Sequence, residues 1–370
     1  MATREGKKAK VGDAKMMEVD IFAEVKGIKY KPLLCRKLDT FDFVNIDMLL
    51  QKEASFILKV DESLIAVSWW VSPKRTRSYP YARVYDTLCF AGKRATIIPV
   101  LKDEGKDGDR DFLQWDTISL MSLLGIYVII SYYSDASRNP RFSNKITEQR
   151  FNVNHVKNEM VKLLSYQSDA LHWNLSQLDN VGEINKRALD SYRVLSQRLS
   201  VEMHSWSSAE KRIKQILKGK ETFMNLSRLL AEKAQKRERV TTQPKEHLTG
   251  IKATLTVKNY LGGFYYFTCD EVEIHGDDLY LIEGKHSKGK EMPSLEDIKD
   301  GLLRMILFSN LENVEIGGRR YNPIPILKLT TAKKIDPIHL EDSELVNTLI
   351  KEAKVNGFKL MINEKIVSFE

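Results

Sequence analysis

The chain is poor in cysteine: Cys35, Cys89 and Cys269 are the only three among 370 residues. They lie far apart, are odd in number and form no CxxC pair, which argues against a disulfide framework and against a structural zinc site. A reducing cytoplasm is the simplest expectation. Long apolar runs are lacking too. No stretch of eighteen apolar residues occurs, so no membrane-spanning helix is expected. The opening residues, MATREGKKAKVGDAKMMEVD, have no apolar core of the kind a secretory signal needs. GxxxxGK[ST], GxSxG and HExxH are all missing, so a P-loop nucleotide site, a nucleophile elbow and a zincin site have no support, and no nucleotide cofactor is expected. What the chain has in excess is positive charge. Its 58 Lys and Arg outnumber 50 Asp and Glu, and the resulting net charge of +8 favours polyanionic partners.

Patterning divides the chain into five stretches. Residues 1–20 are a polar, Lys-rich tail expected to be mobile. Residues 21–144 read as an N-terminal α/β domain, a possible DNA-recognition unit. In it SFILKV and LIAVSWWV are strands around a turn at Asp61-Glu62-Ser63, ATIIPVL and IYVIISYY are further strands, and DFLQWDTISLMSLLG is a helix ending at Gly125. Residues 145–243 are glycine-poor with apolar spacings of three and four, so three or four helices are expected there. Residues 244–335 return to α/β. IKATLTVKNY, FYYFTCDEVEI and DLYLIEGKH are strands, followed by a helix that Ser294 caps with Asp297 in a capping-box arrangement, then NVEI and IPILKLT. Residues 336–370 read as a helix and a small hairpin.

One stretch carries more than a soluble hairpin needs. In CDEVEIHGDDLYLIEGKH a turn near Gly276-Asp277 pairs two strands. Glu283 and Lys285 are two apart and therefore share a face, and Asp270 lies across from them because it is equally far from the turn. Two acids and a lysine then converge at one margin of a sheet. Two carboxylates suit Mg²⁺, a hard cation that takes oxygen ligands and keeps several waters. A lysine beside them stabilises charge that develops in a transition state. The rival reading is a cross-strand ion pair on a solvated margin, worth at most about 1 kcal/mol. The apolar lead-in DLYLI favours a buried strand instead. Glu273 is a possible third acid.

Asp270, twelve intervening residues, then Glu283-Gly284-Lys285, an amphipathic helix and a strand resemble the PD-(D/E)XK nuclease superfamily, and in a chain of this size its type II restriction endonucleases. Cys269 stands where the family signature has proline. The resemblance covers residues 250–330 and implies a restriction-endonuclease-like mixed sheet core with flanking helices. It implies Asp270 and Glu283 as metal ligands, Lys285 as catalytic lysine, Mg²⁺ as cofactor, and sequence-specific cutting of double-stranded DNA by a homodimer. The alternatives from other classes are a non-catalytic DNA-binding protein on a nuclease-like scaffold, or a structure-specific repair or transposon nuclease.

A second acid–acid–lysine set, Asp86 with Glu104 and Lys106, spans the strand ATIIPVL, but Glu104 falls in the polar loop KDEGKDGDRD. DNA contacts are expected from Lys74, Arg75, Arg77 and Arg83, interleaved with tyrosines in WWVSPKRTRSYPYARVY, and from Arg319 and Arg320 in GGRRY. His275 and His286 read as surface residues, since two histidines without further ligands make a poor zinc site.

Overall fold

The computed structural model describes residues 19–74, 78–216, 218, 221–225, 229, 251–259, 264–289, 292–331 and 343–367. Its strands are β1 (Val19–Val25), β2 (Thr40–Asp42), β3 (Ser55–Val60), β4 (Ser63–Trp69), β5 (Lys93–Pro99), β6 (Leu101–Asp103), β7 (Arg110–Phe112), β8 (Tyr127–Ser131), β9 (Tyr133–Arg138), β10 (Ile146–Phe151), β11 (Ile251–Asn259), β12 (Phe264–His275), β13 (Asp278–Ser287), β14 (Glu312–Ile316), β15 (Arg319–Arg320), β16 (Asn322–Thr331), β17 (Lys359–Ile362) and β18 (Lys365–Ile366). The helices are α1 (Ile46–Lys52), α2 (Pro80–Thr87), α3 (Trp115–Leu123), α4 (Val153–Ser165), α5 (Ala170–Asp179), α6 (Val181–Leu199), α7 (Trp206–Ile216), α8 (Leu295–Phe308) and α9 (Glu344–Asn356).

Two mixed sheets organise this α/β chain. The larger runs β15-β14-β1-β11-β12-β13-β16-β17-β18, and the smaller runs β2-β3-β4-β5-β8. In the larger, β11, β12 and β13 form an antiparallel meander, and β16 then lies parallel to β13 after the chain has passed through α8. The β1 strand joins this sheet parallel to β11, and β17 joins it parallel to β16. Segments expected in the N-terminal and C-terminal units are thus part of the central sheet. The pairing is long-range, which local periodicity does not encode.

The smaller sheet is covered on both faces, which is why its strands read as near-continuous apolar runs. Successive residues go to different cores: Ile97 and Ile129 join Phe56, Leu58 and Met160, while Ile98, Val128 and Ile130 join the core shared with the larger sheet. That shared core holds Tyr81, Val84 and Tyr85 of α2, Ile118 and Met121 of α3, Ile298 and Met305 of α8, and Leu255, Leu281 and Leu327 of the larger sheet. Helices therefore fill the space between the sheets, and α2 packs directly on α8. A buried ion pair, Lys299 Nζ to Asp86 Oδ1 at 2.6 Å, joins these two helices.

The helical stretch begins with a strand. Ile146–Phe151 forms β10 against β9, with only its end residues buried, a pattern too short to stand out beside the helices that follow. The α5 helix has a clear task. It lies along β8, the margin of the smaller sheet, where Asn174 Oδ1 accepts from the Val128 N–H at 2.6 Å and Trp173 Nε1 donates to the Val128 carbonyl at 2.8 Å. Side chains thus satisfy backbone groups that an open sheet margin would leave exposed. The expected mobile tail, residues 1–20, lies outside the described residues except for its last two, which open β1.

Cys35 and Cys89, distant in sequence, come close in the fold, where the Cys35 thiol donates to the Tyr85 carbonyl and the Cys89 thiol to the Pro32 carbonyl, and their mutual interaction raises the pKa of Cys35 and lowers that of Cys89. Among the described residues no helix is long and apolar enough to cross a membrane.

Candidate active site

The hairpin of β12 and β13 turns through Gly276 and Asp277, with His275 paired to Asp278. Gly276 has φ of 65°, as the first central residue of a tight type II′ hairpin turn requires. The register continues through Glu273↔Tyr280 to Glu271↔Ile282, so Asp270 and Glu283 come next. Between β11 and β12 the register slips: Ile251 faces Val272 but Ala253 faces Cys269. This bulge lets Cys269 and Val272, an odd number of positions apart, both enter the same core. Asp270 sits within it, and its Oδ2 accepts the Gly284 N–H at 2.9 Å. The aspartate is thereby anchored to the backbone between Glu283 and Lys285.

Glu283 is buried, with 4% of its surface exposed. Lys285 Nζ lies 3.2 Å from Glu283 Oε1 and 3.1 Å from Asp300 Oδ2 on α8. The close approach of α8 depends on Gly301. A Cβ there would stand 2.7 Å from Leu327 Cδ1 and 3.3 Å from Lys285 Cε. Glycine inside a helix costs about 1 kcal/mol relative to alanine, and here the lost propensity makes room for the lysine stem.

Electrostatics tie the cluster together. Burial by itself lowers the Lys285 pKa, but Glu283 and Asp300 outweigh it and keep the ammonium charged. Burial raises the Cys269 thiol pKa, and Asp270 and Glu283 push it the same way. Arg304, one turn beyond Asp300 on α8, is also held protonated against the cost of burial by Glu283, Tyr81, Asp270 and Asp300. Both candidate ligands therefore act on Cys269 and on Arg304 alike. Two carboxylates beside a bound backbone amide form a hard-oxygen donor set, the kind Mg²⁺ takes while keeping waters of its own. Among the described residues no group of three or more His, Cys, Asp or Glu side chains is placed to hold a metal ion.

The other expected site residues fare differently. Glu273 is an odd number of positions from Asp270, so strand alternation turns it to the opposite face. It is exposed beside His275, 3.1 Å away, and is no third acid. Asp86, Glu104 and Lys106 are not brought together. Asp86 is on α2 and pairs with Lys299, Glu104 pairs with Lys102 at 2.9 Å and Lys145 at 3.1 Å, and Lys106 pairs with Glu202 at 2.7 Å. The apparent match arose because ARVYDTL is helical, so a strand-to-strand comparison does not apply to it.

Lys74 is exposed, and Arg75 and Arg77 lie outside the described residues. Tyr79 and Tyr81, further along the chain, come near the cluster: burial and the Asp297 carboxylate raise the pKa of Tyr79, and Tyr81 acts on Arg304. Ser78 and Tyr79 are consecutive non-glycine residues with φ of 57° and 50°, a left-handed pair that costs roughly 1–2 kcal/mol per residue. Arg83, by contrast, is a packing residue. Its guanidinium covers the Trp69 ring at 4.4 Å and donates to the Trp69 carbonyl, which corrects its assignment as a DNA contact. Arg319 and Arg320 are exposed on β15, in a hairpin rather than a plain loop, paired with Asp277 and Glu315. Arg319 is therefore at the turn of the β12–β13 hairpin, about 17 Å along the strand from Glu283 at five residues of strand rise.

Two residues of the cluster, Asp300 and Arg304, were missed by sequence reasoning. The available signal was Arg304 itself, a lone charge in the apolar helical run LLRMILF, one turn after an acid. Comparison with protein-family models, with curated proteins and with solved structures returns no match.

Proposed function

We propose that the chain is a Mg²⁺-dependent endonuclease for double-stranded DNA, built on a PD-(D/E)XK-like core and acting as a type II restriction enzyme does. The observation that carries this reading is the Asp270 carboxylate on the Gly284 amide, which sets both acids and Lys285 at one point of the sheet. The order β11-β12-β13, α8, then a parallel β16 supports the same core. Asp270 and Glu283 would hold the ion. Bound there, Mg²⁺ supplies Lewis-acid polarisation of the phosphate and a water of lowered pKa. Lys285, kept cationic by its two carboxylate neighbours, stabilises charge that builds on phosphate oxygens. Asp300 fixes the direction of the lysine. Lys74 on the approach loop, together with the net positive charge, draws in the duplex.

The test is cleavage of a supercoiled plasmid and of a long genomic duplex with Mg²⁺. Discrete fragments from the wild type are expected, with loss of cutting in Asp270→Asn, Glu283→Gln and Lys285→Ala. Undiminished cutting by all three variants would remove the assignment. Binding of duplex without any metal-dependent cutting would favour a non-catalytic DNA-binding protein.

A further inference from the structure

Arg304 stands out among the charged groups around the cluster. Lys285 has two carboxylates within 3.2 Å, and Lys299 and Lys328 each have one within 2.9 Å. Arg304 forms no ion pair within 4.0 Å among the described residues. Its Nη1 is buried and has no hydrogen-bond partner there. Its guanidinium is instead fixed over the Phe267 ring, 4.3 Å from the centroid. A buried guanidinium with an idle N–H is costly unless something anionic meets it. The neighbouring carboxylates explain why it stays charged, but they leave its donor unused.

The chemistry proposed above has one group that fits. In phosphodiester hydrolysis a water oxygen forms a new bond to phosphorus while the bond to the leaving sugar oxygen breaks. The water gives up a proton, the leaving oxygen takes one, and no redox change occurs. In between, negative charge grows on the non-bridging oxygens. The lysine's ammonium is already shared between Glu283 and Asp300, whereas the planar guanidinium has a free N–H and suits phosphate geometry.

We propose that Arg304 is a catalytic residue of this site, donating through Nη1 to a non-bridging oxygen of the scissile phosphate. This assignment rests on the nuclease reading. It gives α8 two roles, positioning of Lys285 through Asp300 and contact with the phosphate through Arg304.

The experiment compares wild type, Arg304→Lys, Arg304→Met, Arg304→Ala and Glu283→Gln. Single-turnover plasmid cleavage is measured with Mg²⁺, duplex binding is measured in EDTA, and thermal melting reports folding. Arg304→Lys and Arg304→Met are expected to cut roughly 10²–10³-fold more slowly, the range seen when one oxyanion donor is removed. Their duplex binding and melting should stay close to wild type. Millimolar guanidinium should restore cutting by Arg304→Ala at least about ten-fold, which a purely structural role would not give. Arg304→Met cutting within about three-fold of wild type overturns the proposal, and so does full activity of Arg304→Lys, because a bare charge would then suffice. If Glu283→Gln is dead while Arg304→Met is active, this assignment falls and the nuclease reading stands. If the wild type never cuts, the nuclease reading falls first and takes this assignment with it.

Discussion

The molecule contains the same local plan twice, once with the proposed site and once with serines in the place of its acids. In residues 55–99 the β3–β4 hairpin turns at Asp61-Glu62, passes through α2 and returns as β5 parallel to β4. In residues 264–331 the β12–β13 hairpin turns at Gly276-Asp277, passes through α8 and, after the β14–β15 hairpin, returns as β16 parallel to β13. Counted from the turns, Ser55 corresponds to Asp270, Ser68 to Glu283 and Trp70 to Lys285. The two serines face one another in register, and Ser68 Oγ donates to Thr96 Oγ1 at 2.9 Å with no exposed surface. Neutral hydroxyls bonded to each other neither attract a divalent cation nor stabilise anionic charge. The shared plan supplies a rigid strand pair braced by a helix, and the side chains at three positions decide whether a site is there.

The largest expected effect comes from making the unit with the proposed site like its serine-bearing counterpart. Asp270→Ser with Glu283→Ser should lower initial plasmid-cleavage rates by at least about 10³-fold, whereas Ser55→Ala and Ser68→Ala should leave them within about three-fold. Equal losses in both units would break the contrast. Next comes the buried pair that joins the two helices. Asp86→Asn leaves the Lys299 ammonium buried without its carboxylate and should cost about 3–5 kcal/mol in denaturant unfolding. The double change Asp86→Leu with Lys299→Met should recover most of that and still cut. A third effect isolates the helix approach in the unit with the proposed site. Gly301→Ala should destabilise by about 1–2 kcal/mol, since the contact with Leu327 outweighs the gain in helix propensity. It should also slow cleavage by displacing Lys285.

The smallest effect concerns the acid beyond the serine-bearing unit. Burial raises the Glu104 pKa, but Lys102 and Lys145 outweigh it and pull it from 4.5 to about 2. A depressed carboxylate contributes stability above its unfolded pKa and loses it as pH falls through the folded one. Glu104→Gln should therefore cost about 1 kcal/mol at pH 7, with the gap to wild type closing between pH 4.5 and 2. Plasmid cleavage should be unaffected, which separates an ion pair from a catalytic set.

Local chemistry was readable from residues in order. The β12–β13 turn, the alternation that places Glu283 beside Lys285, and the Ser294 cap, whose Oγ accepts from the Asp297 N–H at 3.2 Å, all rest on short-range rules. The mixed α/β class followed from the same patterns. What escaped was non-local. Nothing in VDIFAEV states that it pairs with ATLTV more than two hundred positions later. The bulge at Asp270 shows only when β11 is laid beside β12. Asp300 and Arg304 join the cluster only through the packing of α8 beside β13, and Asp86 entered the second acid–acid–lysine set on spacing alone, although its segment folds as the helix α2.

The outermost strands of the larger sheet, Arg319–Arg320 and Lys365–Ile366, are two residues long and carry three cations between them. Such stubs offer almost no ladder for a further strand, and like charges repel a second copy that approaches edge to edge. If two copies of this protein join to cut both strands of a duplex, these two margins of the larger sheet are poor places for them to meet.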